Sequence, residues 1–233
     1  MIKTYYELTK PGIIYGNAIT AVAGFFIASP KPLAEAGLLV LTLIGLSLVI
    51  ASACVFNNYF DRAIDARMER TKNRALAMGQ VSGRSAIVFA LLLLVLGAAV
   101  LALYTTPLAL SVALLGFVVY VFLYTPLKPR SPSALYIGAV AGATPPVVGY
   151  TAVTNTLDLY ALALFAVLYV WQIPHFLAIA LYRYEEYKAA GVPLFIKKQP
   201  SVETKRRARA VFYGSLVVLL LLCLGAILQR WIR

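Results

Sequence analysis

Three polar residues at a regular spacing could bind a divalent metal ion. Asn57, Asp61 and Asp65 are four residues apart in the segment FNNYFDRAID, so a helix would place them on one face. Two carboxylates and an amide oxygen are hard ligands of the kind that Mg²⁺ prefers, and Mg²⁺ usually keeps water and substrate phosphates among its ligands. The alternative is a solvated helix surface with ordinary i,i+4 ion pairs. Asn57 argues against that alternative, because a polar group at the end of an apolar segment is costly unless it is used.

Basic residues follow this acidic face directly. Arg70, Lys72 and Arg74 lie in the segment RTKNR, and a further pair, Lys128 and Arg130, lies in a later loop. Arginine can bind the oxygens of a diphosphate with two parallel hydrogen bonds, and lysine binds them as a point charge. Acidic residues followed by basic residues are what a metal–diphosphate site needs. For Lys128 and Arg130, the alternative is that they only anchor the chain at the membrane surface.

A second polar cluster lies further along the chain. His175 is the single histidine of the sequence, and it follows Pro174 in an otherwise apolar segment. A histidine there could contact haem or transfer a proton in a cavity, or it could be a hydrogen-bonded packing residue. Glu185 and Glu186 follow, and adjacent helical residues point about 100° apart, so one of the two would face the site. We favour Glu186 as a second metal-binding carboxylate.

The composition indicates what must position these residues. Hydrophobic residues make up 61% of the 233 residues, charged residues make up 13%, and the mean hydropathy is +0.83. Soluble domains contain roughly 25% charged residues, so the composition excludes an ordinary soluble protein and indicates one that crosses a membrane several times. The net charge of +12 could indicate nucleic-acid binding, but the basic residues lie in short clusters between apolar segments. The two cysteines lie in apolar segments without a CxxC pair, which gives no support to a disulfide framework or a zinc site.

Uncharged segments predict seven transmembrane helices, since a helix needs about 20 apolar residues to cross a bilayer. The chain within the membrane must be helical, because lipid offers no hydrogen bonds to the backbone. We therefore predict an all-α helix bundle in a single transmembrane domain, residues 1–233. Pro145 and Pro146 interrupt the fifth helix, and a broken helix at membrane depth usually lines a cavity, although a plain kink is the alternative. The segments are 11–30, 36–60, 85–127 with two helices, 131–182 with two helices on either side of Asp158, and 210–229.

The basic residues also predict an orientation. All of the 21 lysines and arginines except Lys31, Arg230 and Arg233 lie on the N-terminal segment or on the loops that share its side of the membrane. Because positive loops face the cytoplasm, we expect the N-terminus and the large loops to be cytoplasmic. The N-terminus looks like neither a cleaved signal peptide nor a mitochondrial transit peptide, so we expect a bacterial inner membrane.

Four segments together resemble the protohaem IX farnesyltransferase (haem O synthase) family, within the UbiA-type membrane prenyltransferases. The N-x-x-x-D-x-x-x-D spacing fits the whole superfamily, whereas RTKNR, the stretch GATPP and the stretch PHF are similar to the haem branch. The matching segments cover nearly the whole chain in the family's order: LTKPGIIYGNAIT at 8–20, NNYFDRAIDARMERTKNR at 57–74, YTPLKPRSPSALYIGAVAGATPPVVGY at 124–150 and WQIPHFLAIALYRYEEYKAAGVPL at 171–194.

The resemblance implies Mg²⁺-dependent transfer of a farnesyl group from farnesyl diphosphate to a vinyl group of protohaem IX, which gives haem O for the assembly of terminal oxidases. A haem A synthase or an oxidase-assembly protein would be the partner. The implied metal ligands are Asn57, Asp61, Asp65 and Glu186, which act in catalysis together with Lys128. The implied contacts to the diphosphate are Arg70, Lys72, Arg74 and Lys128, to which we add the neighbouring Arg130. The contacts to haem are assigned to His175 and Arg183.

The sequence departs from the family in its number of helices. Family members have nine transmembrane helices, so the seven predicted here imply that the last two are absent. Three functions therefore stay open: farnesyl transfer to haem, prenyl transfer to a quinone precursor or another lipid acceptor, and a non-catalytic haem-binding scaffold. The second would leave the PHF stretch without a role. A transporter would need ionisable residues near the middle of the membrane, and His175 is almost the only one.

Overall fold

The computed structural model describes the backbone of residues 1–232 and the side chains of residues 1–228. Arg233 and the side chain of Arg230, both used in the orientation argument, lie outside the described residues. Within residues 1–232 every regular element is a helix. The elements are α1 (Ile2–Leu8), α2 (Pro11–Ala28), α3 (Ala36–Asp65), α4 (Gly83–Tyr104), α5 (Pro107–Leu127), α6 (Ala134–Gly142), α7 (Thr144–Thr154), α8 (Leu159–Tyr182), α9 (Tyr184–Ala189) and α10 (Val202–Ile232).

Six of the helices in the described part of the chain are long and apolar enough to cross a membrane: α2, α3, α4, α5, α8 and α10. The remaining predicted span is formed by α6 and α7, two shorter helices that follow each other across Ala143. Pro145 and Pro146 lie at the start of α7, where proline is tolerated because the first backbone amides of a helix have no partner within it. The chain is therefore an all-helical, multi-pass integral membrane protein, as the sequence predicts.

Helices α2 and α7 pack with their backbones almost in contact. A Cβ atom at Gly24 would lie 1.9 Å from the carbonyl oxygen of Pro146, and one at Gly149 would lie 2.0 Å from that of Ala21. Such a close approach requires glycine, and small residues are the usual means by which membrane helices associate. Most of α7 is buried as a result. The contact fixes the position of α2 within the bundle, and residues at the start of α2 belong to the site described below.

Helix α5 changes its geometry before it ends. Residues Val119–Tyr124 form a π-helical segment, and Thr125 donates a hydrogen bond to the carbonyl oxygen of Tyr120 at 2.8 Å. Such π-helical turns are rare and occur frequently at functional sites. Here the segment directly precedes Thr125 and Lys128, whose side chains form hydrogen bonds with Asn57 and Asp61 at the end of α3.

The single charge between α7 and α8 has a structural role. Oδ1 of Asp158 accepts hydrogen bonds from the backbone amides of Tyr160 and Ala161 at 2.9 and 3.1 Å, as expected for a helix N-cap. Oδ2 accepts a hydrogen bond from the hydroxyl of Tyr150 at 2.6 Å. These hydrogen bonds, with that from Tyr150 first, hold the pKa of Asp158 below its usual value. The charge therefore serves to begin α8.

Candidate functional site

The polar residues at the C-terminal end of α3 are buried. Helix α3 continues beyond its apolar part to Asp65, so that Asn57, Asp61 and Asp65 share one face, and each is only 2–3% exposed. An ionised carboxylate is buried only when partners compensate for the hydration that it loses. Each of these residues must therefore have a cationic or hydrogen-bonding partner.

Two cationic side chains neutralise the carboxylates. Lys128 binds Oδ2 of Asp61 at 2.7 Å, and Arg74 binds Oδ2 of Asp65 at 2.8 Å. Among residues 1–228, no side chain or amide donates a hydrogen bond to Oδ1 of either aspartate. Burial on its own lowers the pKa of Lys128, but Tyr124 and Asp61 outweigh it and raise that pKa above its ordinary value. The lysine therefore stays charged at neutral pH.

A third cation, Lys10, comes from a distant part of the sequence. It lies between α1 and α2 with a left-handed backbone (φ 53°, ψ 66°), and its Nζ donates a hydrogen bond to Oδ1 of Asn57. Asn57 donates in turn to Oδ2 of Asp61 at 3.1 Å and to Oγ1 of Thr125 at 3.0 Å. Burial and the nearby Arg74 cation lower the pKa of Lys10 to about 8. We use the name polar cluster for Lys10, Asn57, Asp61, Asp65, Arg74 and Lys128.

Loop 66–82 folds back onto the end of α3 through side chains that the sequence analysis did not single out. Asn58 donates a hydrogen bond to the carbonyl oxygen of Leu8 at 2.8 Å and accepts one from Arg74 at 3.2 Å. Thr71 donates to the carbonyl oxygen of Asp65 at 3.0 Å. These hydrogen bonds hold Arg74 and the end of α1 next to the carboxylates.

An apolar cavity of about 650 Å³ lies beside the polar cluster. This volume is in the usual range of sites that bind small molecules. Three of the basic residues singled out in the sequence, Arg70, Lys128 and Arg183, lie in its wall. Lys128 is at the same time bound to Asp61, so it joins the polar cluster to the cavity.

His175 lies in the same cavity wall, about two turns before the end of α8. Its Nδ1 lies 2.8 Å from Oγ of Ser215 on α10, and its ring packs between the rings of Trp171 and Phe212. Gln172, one turn earlier, is buried and also lines the cavity. The sequence analysis missed Gln172 and Ser215, because a single glutamine or serine in an apolar segment is not distinctive.

Two of the basic residues assigned to the diphosphate lie apart from the polar cluster. Lys72 is exposed and binds Glu69 at 2.6 Å. Arg130 is exposed and is not part of the cavity wall. Arg70 lies in that wall but makes no ion pair among the described residues. The structure therefore places Arg74 and Lys128 on the carboxylates, Arg70 in the cavity wall, and Lys72 and Arg130 at the surface.

Glu186 and Glu185 have different partners. Glu186 forms an ion pair with Arg183 through Oε1, while its Oε2 is buried without a hydrogen bond from the described residues. Glu185 is exposed and accepts hydrogen bonds from Lys205 at 2.9 Å and from Gln199 at 2.8 Å. The hydrogen bond from Lys205 is the main cause of the lowered pKa of Glu185. Of the two, Glu186 is the less exposed and the one with an unsatisfied oxygen.

The oxygens of the polar cluster fit a hard divalent cation. Asp61 and Asp65 each keep Oδ1 available, and the amide oxygen of Asn57 lies on the same helix face, where a metal ion would have to share it with Lys10. This set is short of ligands, and water and a diphosphate would complete it, as Mg²⁺ commonly requires. Within the described residues no three His, Cys, Asp or Glu side chains come together as a metal site, so Glu186 is not grouped with the two aspartates.

The chain is similar in sequence to known proteins along nearly its whole length. The model of the UbiA prenyltransferase family matches residues 17–232. The chain is 49% identical over 207 residues to the protoheme IX farnesyltransferase of Protochlamydia amoebophila, and the alignment covers 89% of this chain and 73% of that protein. It is 45% identical over 226 residues to the protein of the same name from Sodalis glossinidius, and that alignment covers 97% of this chain and 76% of that protein.

The fold is also similar to that of solved proteins. A UbiA homologue from Archaeoglobus fulgidus, solved with GPP and Mg²⁺, superposes with a TM-score of 0.66. The superposition covers 98% of this chain and 85% of that one at 18% sequence identity. At this level of identity, the likeness concerns the fold alone.

Proposed function

The chain belongs to the UbiA prenyltransferase family and is a membrane-embedded prenyltransferase, and on this basis we propose that it transfers a farnesyl group from farnesyl diphosphate to a vinyl group of protohaem IX. The product would be haem O, which is used in the assembly of terminal oxidases. The observation that carries the proposal is the position of Lys128, which binds Asp61 in the polar cluster and also lines the apolar cavity. A reaction that breaks a bond to diphosphate and excludes water needs these two environments side by side.

The diphosphate would bind where the polar cluster meets the cavity. Arg70 and Lys128 lie in the cavity wall there, and Arg74 lies close by on Asp65. Lys128 and Arg74 each have further N–H donors. They can therefore bind diphosphate oxygens whether or not their ion pairs with Asp61 and Asp65 remain. Their positive charge stabilises the negative charge that develops on the diphosphate as the C–O bond breaks.

Asn57, Asp61 and Asp65 would hold Mg²⁺, and the metal would supply further positive charge for the departing diphosphate. The support is the pair of Oδ1 atoms, one on Asp61 and one on Asp65, that the described residues leave without a hydrogen bond on one helix face. We keep Glu186 as a metal ligand in this proposal only for a position separate from the two aspartates, because it is not grouped with them and its buried Oε2 lacks a hydrogen bond from the described residues.

The cavity would protect the farnesyl cation from bulk water, which would otherwise quench it. Tyr120, Tyr124 and Trp171 lie in its wall, and aromatic faces stabilise positive charge. The haem vinyl group then forms a C–C bond with C1 of the farnesyl chain, and the positive charge passes to the carbon next to the porphyrin ring. Water adds to that carbon and loses a proton, which leaves the hydroxyl group of haem O.

We further propose that the reaction takes place at the cytoplasmic face of a bacterial inner membrane. The polar cluster lies at the start of α2 and at the ends of α3 and α5, which is the side that carries most of the lysines and arginines. A haem A synthase or an oxidase-assembly protein would then receive the product.

An assay in membranes tests this function. Membranes that contain the chain are incubated with haem B, farnesyl diphosphate and Mg²⁺, and haem O is measured by mass spectrometry, with EDTA in a parallel sample. We expect haem O that disappears with EDTA and falls about 100-fold or more in Asp61→Asn and Asp65→Asn. Asp158→Asn is the matched control, because it changes a carboxylate at the other end of the bundle and asparagine still caps a helix. Its activity should equal that of the unchanged chain.

Two results would contradict the proposal. Haem binding without any release of diphosphate would favour a non-catalytic scaffold. Farnesyl transfer to 4-hydroxybenzoate in preference to haem would favour an enzyme that acts on a quinone precursor.

A further inference from the structure

The imidazole of His175 is held rigidly in the cavity wall. Its ring lies 4.8 Å from that of Trp171 with an interplanar angle of 22°, and 4.8 Å from that of Phe212 with an angle of 34°. Trp171 also donates a hydrogen bond from Nε1 to the carbonyl oxygen of Ser215 at 3.0 Å, which ties α8 to α10 at the same level. The ring therefore has little freedom to turn, and its two nitrogens face fixed directions.

The two hydrogen bonds of Ser215 favour one tautomer of His175. The hydroxyl of Ser215 has one proton, which it donates to the carbonyl oxygen of Phe212 at 2.7 Å. In this arrangement Ser215 accepts from Nδ1 of His175, at 2.8 Å, and a neutral ring then carries its N–H on Nδ1. In a neutral imidazole Nε2 is then a proton acceptor. The described residues offer Nε2 no hydrogen bond, and it remains available to the cavity.

Gln172 supplies a second acceptor in the cavity wall. Its Nε2 donates hydrogen bonds to the carbonyl oxygens of Ala139 at 3.2 Å and of Leu168 at 3.0 Å, which uses both N–H groups of the amide. Oε1 is left as an acceptor, and it packs so closely on Gly142 that a Cβ there would lie 2.0 Å from it. The amide therefore cannot flip without losing both hydrogen bonds.

Two acceptors one helical turn apart, inside a membrane, suit a small molecule that donates two protons. We propose that Gln172 and His175 hold the water molecule that adds to the porphyrin-side cation, and that His175 accepts its proton. The inference rests on the proposed function. The water oxygen forms a C–O bond with the cationic carbon, one O–H bond breaks, its electron pair stays on oxygen, and the proton moves to Nε2. The imidazolium that results lies against the faces of Trp171 and Phe212, which stabilise a cation.

In this proposal His175 is a catalytic residue and Ser215 is a positioning residue. His175 touches the reacting water, whereas Ser215 acts through His175 by keeping the proton on Nδ1. Without the base, the cation would lose a proton from the adjacent carbon instead, and the product would be an alkene lighter than haem O by one water. The ratio of haem O to this alkene therefore reports on His175 and Ser215 independently of diphosphate release, which reports on the first step.

The test compares His175→Phe, Ser215→Ala and Ser215→Thr in membranes with haem B, farnesyl diphosphate and Mg²⁺. His175→Phe keeps an aromatic ring between Trp171 and Phe212, and we expect the ratio of haem O to alkene to fall about 100-fold, the usual contribution of a general base. Ser215→Ala should lower the ratio about tenfold through the lost hydrogen bond, and Ser215→Thr should restore it. Ser111→Ala is the matched control, since Ser111 also bonds a backbone carbonyl within a membrane helix but is exposed outside the cavity.

The results separate failure of this inference from failure of the proposed function. An unchanged ratio in His175→Phe, with diphosphate released normally, would overturn the role of His175 alone. A shifted absorption spectrum of bound ferric haem with an unchanged ratio would also overturn it, because it would show Nε2 to be an iron ligand. If the unchanged chain releases diphosphate but makes neither haem O nor the alkene, both proposals are wrong.

Discussion

Lys128 and Arg130 are close neighbours in the sequence, yet their side chains lie in different environments. Lys128 binds Asp61 and lines the cavity, whereas Arg130 is exposed outside it. We expect Lys128→Met to lower kcat/KM for farnesyl diphosphate about 100-fold or more. The substitution removes a positive charge that stabilises the leaving diphosphate, and it leaves Asp61 unpaired. Arg130→Met should change the same constant by less than about threefold. Initial rates of haem O formation measure both, and equal losses would contradict the distinction.

Lys10 and Lys3 allow a similar comparison near the N-terminus. Lys10 is half-buried and bonded to Asn57, whereas the side chain of Lys3 is 89% exposed. We expect Lys10→Met to raise the KM for farnesyl diphosphate about tenfold, because a charge-assisted hydrogen bond and a nearby cation are lost. Lys3→Met should leave the KM unchanged. A Lys10→Met protein that is less stable to heat but keeps its KM would show that Lys10 only supports the fold.

The site residues that could be predicted from the sequence are those that lie close to one another along the chain. Asn57, Asp61 and Asp65 share a helix face because of their spacing, and spacing is visible in a sequence. Lys10 is 47 residues from Asn57, and in the sequence its charge is already explained by the orientation rule. Ser215 is 40 residues from His175 and has no distinctive neighbours. Such pairs depend on how the helices pack, which helical periodicity does not reveal.

At the scale of whole elements, uncharged segments predict the helices well because the thickness of the bilayer sets their length. They do not predict at which residue a helix ends or where its geometry departs from that of an α-helix. Helix α3 continues to Asp65, beyond its uncharged part, and its two buried carboxylates pair with half-buried cations, Arg74 in the following loop and Lys128 at the end of α5. The π-helical segment Val119–Tyr124 is as apolar as the rest of α5 and leaves no signal in the sequence.

The contact between α2 and α7 leads to a prediction about stability. Gly149→Ala would place a methyl group 2.0 Å from the carbonyl oxygen of Ala21, so the two helices would have to move apart. We expect a loss of about 1–3 kcal/mol, the usual cost of overpacking. Gly37→Ala is the matched control, because nothing lies within 4 Å of a Cβ atom there. Thermal unfolding in detergent measures both. If Gly149→Ala were as stable as Gly37→Ala, the two backbones would not be in close contact.

At the scale of the whole molecule, the charges and the site lie on the same side of the membrane. The loops and helix ends that hold the polar cluster are those rich in lysine and arginine, and the cavity extends from them along α8, past Arg183 and His175. A charged diphosphate cannot cross the apolar part of a bilayer, so its binding site must face the compartment that supplies it. The orientation of the chain therefore determines which pool of substrate the enzyme can use.

Labelling of single cysteines tests that orientation. Lys31 and Lys72 are both exposed, but they lie on opposite sides of the membrane in the predicted topology. We expect a membrane-impermeant maleimide to label Lys31→Cys in intact bacterial cells and Lys72→Cys only after the membrane is opened. The unchanged chain is the control and should stay unlabelled, because Cys54 and Cys223 are buried. Labelling of Lys72→Cys in intact cells would place the polar cluster outside. The basic side would then face away from the cytoplasm, against the rule that positive loops remain inside, and a diphosphate made in the cytoplasm could not reach Lys128.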